Sequence, residues 1–91
     1  MRERTIEQYL VGQVERFGGL TFKFLSTQAG VPDRIVILNG VTYFVELKAP
    51  GGKLTKIQIW QHERIKKAGV LPLVFYNKLD VEEWLTSIVD L

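Results

Sequence analysis

The sequence predicts an α/β fold of α+β-like character: one mixed sheet with flanking helices in the order α-β-β-β-α-β-α. Three observations carry that expectation. Apolar residues switch between the helical and the strand period along the chain. Asn39-Gly40 stands between two apolar runs and marks a two-residue hairpin. Thr55-x-x-Gln58 has the form of a capping box that opens a helix. The 91 residues suffice for a single domain spanning 1–91 and no second one.

The elements follow in order. Thr5-Ile6-Glu7-Gln8 reads as a capping box, and apolar spacing continues through Leu10, Val14 and Phe17 until Gly18-Gly19 stops the first helix. Leu20 to Leu25 alternates as a strand, and Ser26 to Pro32 is a loop. Asp33 to Leu38 and Val41 to Lys48 form the hairpin, followed by a Gly-rich loop from Ala49 to Lys53. The Thr55 helix ends at Gly69. Val70 to Tyr76 is an apolar strand, placed at an edge or at a strand beginning by Pro72. Asp80-x-x-Glu83 caps a last helix that buries Val81, Trp84, Leu85 and Ile88.

Composition excludes several classes. With 46% hydrophobic and 24% charged residues the chain is globular rather than disordered. The absence of Cys removes disulfide scaffolds and thiolate zinc sites and fits a reducing compartment. The longest apolar stretch, Val70 to Tyr76, is too short to span a membrane, and no secretory leader opens the chain. The net charge of +2 is unevenly spread. Residues 1–52 carry +1, Lys53 to Lys78 carry +5, and Leu79 to the end carry −4 through Asp80, Glu82, Glu83 and Asp90. The basic middle suggests a phosphate-facing surface or, more simply, a solvated helix face.

The hairpin allows a sharper deduction. A two-residue turn at Asn39-Gly40 sets Leu38 opposite Val41, and each further step pairs the next residues outward until Asp33 faces Glu46. Opposed side chains share a face with Cβ atoms about 5 Å apart, where like charges repel. Lys48 falls on that same face, beside Ile35, Ile37 and Phe44. Two carboxylates on a mostly apolar surface need a cation, a shared proton or solvent, and a hard divalent ion such as Mg²⁺ or Mn²⁺ answers that need economically. A purely structural alternative pairs Glu46 with Lys48 in a salt bridge and leaves Asp33 as a loop carboxylate. In the first helix Glu7 joins the stripe of Leu10, Val11 and Val14, pointing a third carboxylate inward, while Glu3 and Glu15 fall away. Its alternative role is a first-turn partner of the helix dipole.

Pro32-Asp33 followed by Glu46-Leu47-Lys48 resembles the PD-(D/E)XK nuclease signature. Gly30-Val31-Pro32-Asp33-Arg34, Val45-Glu46-Leu47-Lys48, and Leu54-Thr55-x-x-Gln58 with Trp60, His62 and Gly69 look like its VRR-NUC branch in the compact phage and bacterial form. The resemblance runs from Glu7 to about Tyr76 and departs at Thr55, where many relatives have Ser. It implies a restriction-endonuclease-like core and a metal-dependent phosphodiesterase acting on DNA in the cytoplasm of a bacterial or phage-infected cell. By position it implies that Asp33, Glu46 and the Leu47 backbone carbonyl bind Mg²⁺ or Mn²⁺. Glu7 would join them directly or through water, Lys48 would orient the attacking water, and Gln58 would lie near the scissile phosphate.

Elementary chemistry is consistent with this. A phosphodiester gains negative charge in its transition state, which a carboxylate-held divalent ion and a Lys can offset. No rival catalytic set is evident, since His62 lacks an obvious Ser or Asp partner and reads as a general base or, more simply, as a surface helix histidine. Gly51-Gly52-Lys53-Leu54 lacks the phosphate-loop pattern, so no nucleotide cofactor is expected. Gln58 also has a competing role as cap partner of Thr55.

On the second helix Lys56, Trp60, Arg64 and Lys67 form one stripe, with Lys53 just before it, suited to a DNA backbone. Trp60 either stacks there or packs into the core. Ile57, Ile65 and Ala68 are expected inward, with Ile59 outward. The acidic last helix with Trp84 and Leu85 is the expected dimer element. The family resemblance implies a homodimeric enzyme that resolves four-way (Holliday) junctions. A flap, single-strand or non-selective nuclease and a non-catalytic DNA-binding module are the alternatives.

Overall fold

The computed structural model describes residues 2–89, so Asp90 of the acidic tail lies outside it. The element order is the expected one: α1 (Glu3–Arg16), β1 (Leu20–Lys23), β2 (Arg34–Leu38), β3 (Val41–Leu47), α2 (Lys56–Lys67), β4 (Leu73–Phe75) and α3 (Lys78–Ile88). The four strands lie side by side in chain order. β1 and β3 run antiparallel to β2, and β4 runs parallel to β3. No described helix is long and apolar enough to cross a membrane.

The hairpin register is as deduced. Leu38 pairs with Val41 and the ladder runs to Arg34 opposite Val45. Asn39 and Gly40 take φ of 52° and 77°, the left-handed pair that a two-residue turn requires. β1 is shorter than expected, although Phe24 N still donates to Asp33 O at 2.8 Å. β4 is cut to three residues because Pro72, just before it, has no N–H to give the ladder.

Two helix starts differ from expectation. α1 begins at Glu3 with Arg2 as N-cap and no side-chain cap, so Thr5 lies within the helix. Glu3 in the first turn favours this longer start through the helix dipole. α3 is capped by Asn77, whose side chain accepts from Asp80 N at 2.8 Å, and Asp80 accepts from Tyr76 N at 2.8 Å. The expected Asp80-x-x-Glu83 box therefore falls one turn too late. The Thr55–Gln58 box is present in both directions.

The core lies between one sheet face and the pair α1 and α3. Ile6, Leu10 and Val14 meet Val36, Leu38, Val45, Leu47 and Phe75, with Val81, Trp84 and Leu85 from α3. Trp84 packs edge-on against Tyr43 at 5.1 Å and tilted against Phe75 at 5.5 Å. This corrects the expected role of α3: Trp84 and Leu85 are 9% and 3% exposed and belong to the chain's own core. The opposite sheet face is open, with Leu20, Phe22 and Ile37 exposed along it.

A residue so placed has a measurable signature. Trp84→Ala is expected to lower the unfolding free energy by about 3–5 kcal/mol in urea titrations. Trp84→Phe, which removes a buried indole N–H without a partner, should cost much less. A Trp84 serving a protein interface would leave the isolated chain's stability unchanged on substitution by Ala.

Candidate active site

The end of the hairpin away from its turn brings the expected carboxylates together. Glu46 is the penultimate residue of β3, with only 4% of its surface exposed, and Asp33 stands just before β2. Burial, then the neighbouring Asp33 charge, then Glu3 push the Glu46 carboxyl up to about 7, against an opposing pull from Lys48. The Asp33 carboxyl is also raised, first by burial and then by Glu3 and Glu7. Its Oδ1 is buried without a hydrogen-bond partner. Both groups report one condition: negative charge has been taken from water without enough positive charge in return.

Lys48 does not cancel that deficit by a contact. Among the described residues the ion pairs are Arg34–Glu7 at 2.8 Å and Glu63–Lys66 at 3.4 Å, so the alternative Glu46–Lys48 bridge is not formed. Lys48 is half-buried, and its field reaches both Glu46 and His62.

Glu7 is placed differently from the simple stripe. Ile6 rather than Glu7 heads the buried line of α1, and the Glu7 carboxylate accepts from Arg34 Nη1. Arg34 is buried on the core face of β2, and its Nε donates to Thr21 Oγ1 at 3.2 Å. Thr21 in turn donates to Ile35 O at 2.9 Å. The guanidinium thus fixes α1 to β1 and β2 and brings Glu7 towards Asp33. A cleft of about 580 Å³ opens there, lined by Glu3, Arg4, Glu7, Lys23, Leu25 and Asp33.

No family model matches the chain. Over 71 residues, 76% of its length and 76% of the relative's, it is 48% identical to the protein named "Putative nuclease p44" of Acyrthosiphon pisum secondary endosymbiont phage 1. A solved structure described as a VRR_NUC domain matches with a TM-score of 0.87 at 31% identity, over 96% of this chain and 97% of that one. The chain belongs to the VRR-NUC family.

Other residues of this VRR-NUC chain are less gathered. Gln58 is engaged in the cap: its Oε1 accepts from Thr55 N at 2.9 Å and its N donates to Thr55 Oγ1 at 3.2 Å. Lys53, Lys56, Arg64 and Lys67 are all exposed, and Trp60 is exposed rather than core. The inward face of α2 is polar, contrary to expectation. Gln61 and His62 are its buried residues, whereas Ile57 and Ala68 are exposed and Ile65 is half-buried. The reason is the loop before β2. Its Ala29 carbonyl needs a donor and finds Gln61 Nε2 at 3.1 Å. The same loop runs so close to α2 that a Cβ on Gly30 would lie 2.6 Å from Ile57 O, and Gly30 takes φ +85°.

Glu3, Arg34 and Gln61 are not singled out as site residues by the sequence, and His62, expected at the surface, is instead buried at 6% exposure. Glu3 sits one turn before Glu7 on the same side of α1, but a start at Thr5 left it outside the helix. Arg34 follows Asp33 directly, so strand alternation alone sends it to the opposite, buried face.

The fit to a divalent cation rests on Asp33 and Glu46. Among the described residues no three His, Asp or Glu side chains form a ready metal cage. An ion here would therefore take those two carboxylates with backbone carbonyl and water oxygens.

Two measurements follow. A raised carboxyl pKa means that the folded state holds a proton the unfolded chain has lost, so stability falls as pH rises from 4.5 to about 7. In metal-free buffer Glu46→Gln should be more stable than the parent at pH 8, by on the order of 3 kcal/mol, and the gain should vanish near pH 4. Glu7→Ala strands the buried Arg34 guanidinium and is expected to cost roughly 3–5 kcal/mol in urea melts. A Glu7 with no part in the fold would show no loss.

Proposed function

We propose that this chain is a metal-dependent, structure-selective DNA endonuclease that hydrolyses phosphodiester bonds and resolves four-way junctions as a homodimer. The observation that carries this reading is the buried carboxylate pair short of a cation, Asp33 and Glu46, with Lys48 next along the same strand end. Folding alone has no use for such a pair. A DNA-binding module would gain nothing from it either, because carboxylates repel phosphate.

Asp33, Glu46 and the Leu47 carbonyl would hold Mg²⁺ or Mn²⁺, with Glu7 joining them directly or through water. When bound, the ion supplies Lewis-acid polarisation of the phosphoryl group and a water acidic enough to attack at neutral pH. Lys48 orients that water, and its compact charge offsets the negative charge growing on the phosphoryl oxygens. Gln58 keeps its amide nitrogen outside the cap, so it can donate to the scissile phosphate while Oε1 stays on Thr55. Lys53, Lys56, Arg64 and Lys67 neutralise flanking phosphates.

The open sheet face supports the homodimer. Leu20, Phe22 and Ile37 are 57%, 53% and 38% exposed on adjacent strands, an apolar surface that a second copy would cover. Leu20 and Ile37 lie at the end of this surface away from Asp33, and Phe22, opposite Ile35, lies two residues from it, about 7 Å along the strand. Two sites related by a two-fold axis suit paired cuts across a junction.

The test is a cleavage panel with light scattering. A mass of two chains is expected, with junctions cut at least about tenfold faster than linear duplex and only with Mg²⁺ or Mn²⁺. Asp33→Ala and Lys48→Ala should each reduce cleavage by about 10³-fold while largely sparing binding. A monomer that cuts duplex as fast as junctions overturns the assembly and selectivity. Unchanged cleavage by Lys48→Ala overturns the site.

A further inference from the structure

The outer face of α2 carries an aromatic ring and a cation held in fixed relation. The Arg64 guanidinium carbon lies 4.7 Å from the Trp60 ring centroid, and Trp60 is still 54% exposed. Arg64 is not free to wander. Its Nη1 donates to Gln61 Oε1 at 3.0 Å and to Gln28 Oε1 at 3.5 Å. Gln61, 4% exposed, is itself tied by Nε2 to Ala29 O at 3.1 Å and to Gln28 Oε1 at 3.3 Å. A buried amide bound at both ends therefore fixes the guanidinium, and the guanidinium fixes the indole. An ordinary exposed tryptophan would need no such support.

The surroundings say what this pair meets. Lys56 and Lys67 share the stripe of Trp60 and Arg64, within the segment from Lys53 to Lys78 that carries +5. An apolar ring framed by cations suits a polyanion that offers flat faces, and nucleic acid offers both. Within a continuous duplex each base is already stacked on both sides, so only a base at a branch point or in a single strand has a face to give.

We propose that Trp60 and Arg64 form a stacking platform for a nucleobase with an open face, so that the enzyme selects DNA that is unstacked near the cut, as at the branch point of a junction. This rests on the nuclease reading and names the substrate feature it selects. Trp60 stands about 160° around the helix from Gln58, and the helix is about 10 Å across. The captured base therefore lies about a helix diameter from the phosphate that Gln58 is proposed to meet.

The test uses the full chain in EDTA, titrated into a single strand carrying one 2-aminopurine and into the same sequence as a duplex. Stacking quenches 2-aminopurine in the single strand. Trp60→Ala should abolish that quenching and weaken single-strand binding about tenfold, while duplex binding changes less than twofold. Trp60→Phe should keep most of the effect because it keeps a ring. Equal losses on both substrates, no loss on either, or a change from dimer to monomer in Trp60→Ala would overturn the platform. Cleavage by the parent chain with Mg²⁺ or Mn²⁺ is scored separately. Quenching without cleavage keeps the platform and removes the nuclease reading; cleavage without Trp60-dependent quenching does the reverse.

Discussion

The two-residue turn at Asn39 and Gly40 is the constraint on which the rest of the molecule depends. Both residues hold positive φ, and this turn sets the β2–β3 register without slack. Register decides which residues see the core and which see the open face. Asp33 and Arg34 are consecutive, so the alternation of an extended chain sends them to opposite sides. Asp33 goes to the open side, where Glu46 faces it. Arg34 goes to the core side, where it captures Glu7 and Thr21. One dipeptide thus supplies half of the carboxylate pair and anchors the helix that carries Glu3 and Glu7. A slip of a single residue would undo both.

The electrostatics of the site follow from that arrangement. Four carboxylates, from Glu3, Glu7, Asp33 and Glu46, lie near enough for their charges to act on one another, and only Glu7 has a direct cationic partner. Arg34 satisfies Glu7 and partly offsets Asp33, but the one cation that pulls the Glu46 carboxyl down is Lys48. The surplus is therefore concentrated at the sheet end. The basic residues of α2 do not cancel it, because they stand on the surface. The small overall charge hides a strong local contrast: an acidic centre beside a cationic helix. This contrast suits a substrate whose phosphates are attracted broadly and which, on the function proposed above, meets the acidic centre through a metal ion.

Legibility in the sequence tracked how local each decision was. The Asn39-Gly40 turn and the Thr55–Gln58 box are made by residues within four positions of each other, and both were readable down to the pairing and the bonds. Helix starts were less so. Thr5-x-x-Gln8 has the form of a capping box yet lies inside a helix, while Asn77 caps α3 with no more signal than any loop asparagine. The nearness of Asp33 to Glu46 follows from the rigid alternation of the strands, although the observed ladder ends one pair earlier, at Arg34 opposite Val45. The pairing of Glu7 with Arg34 could not be deduced, since it spans 27 residues and depends on how α1 docks. The polar inward face of α2 was hidden for a related reason. Periodicity assumes that a helix buries apolar residues, whereas this one buries Gln61 against backbone groups of a loop.

That exception explains how α2 can serve both sides of the site. A helix held by an apolar stripe must spend its large hydrophobic residues on the core. α2 is held instead by amide hydrogen bonds and by the close approach at Gly30, where no side chain fits between loop and helix. Ile57, Ile59 and Trp60 are consequently left outside. The loop that docks on α2 is also the one that leads through Pro32 into Asp33. The helix that carries the cationic stripe and the loop that leads to the first carboxylate thus meet directly, at a glycine because nothing larger would let them touch.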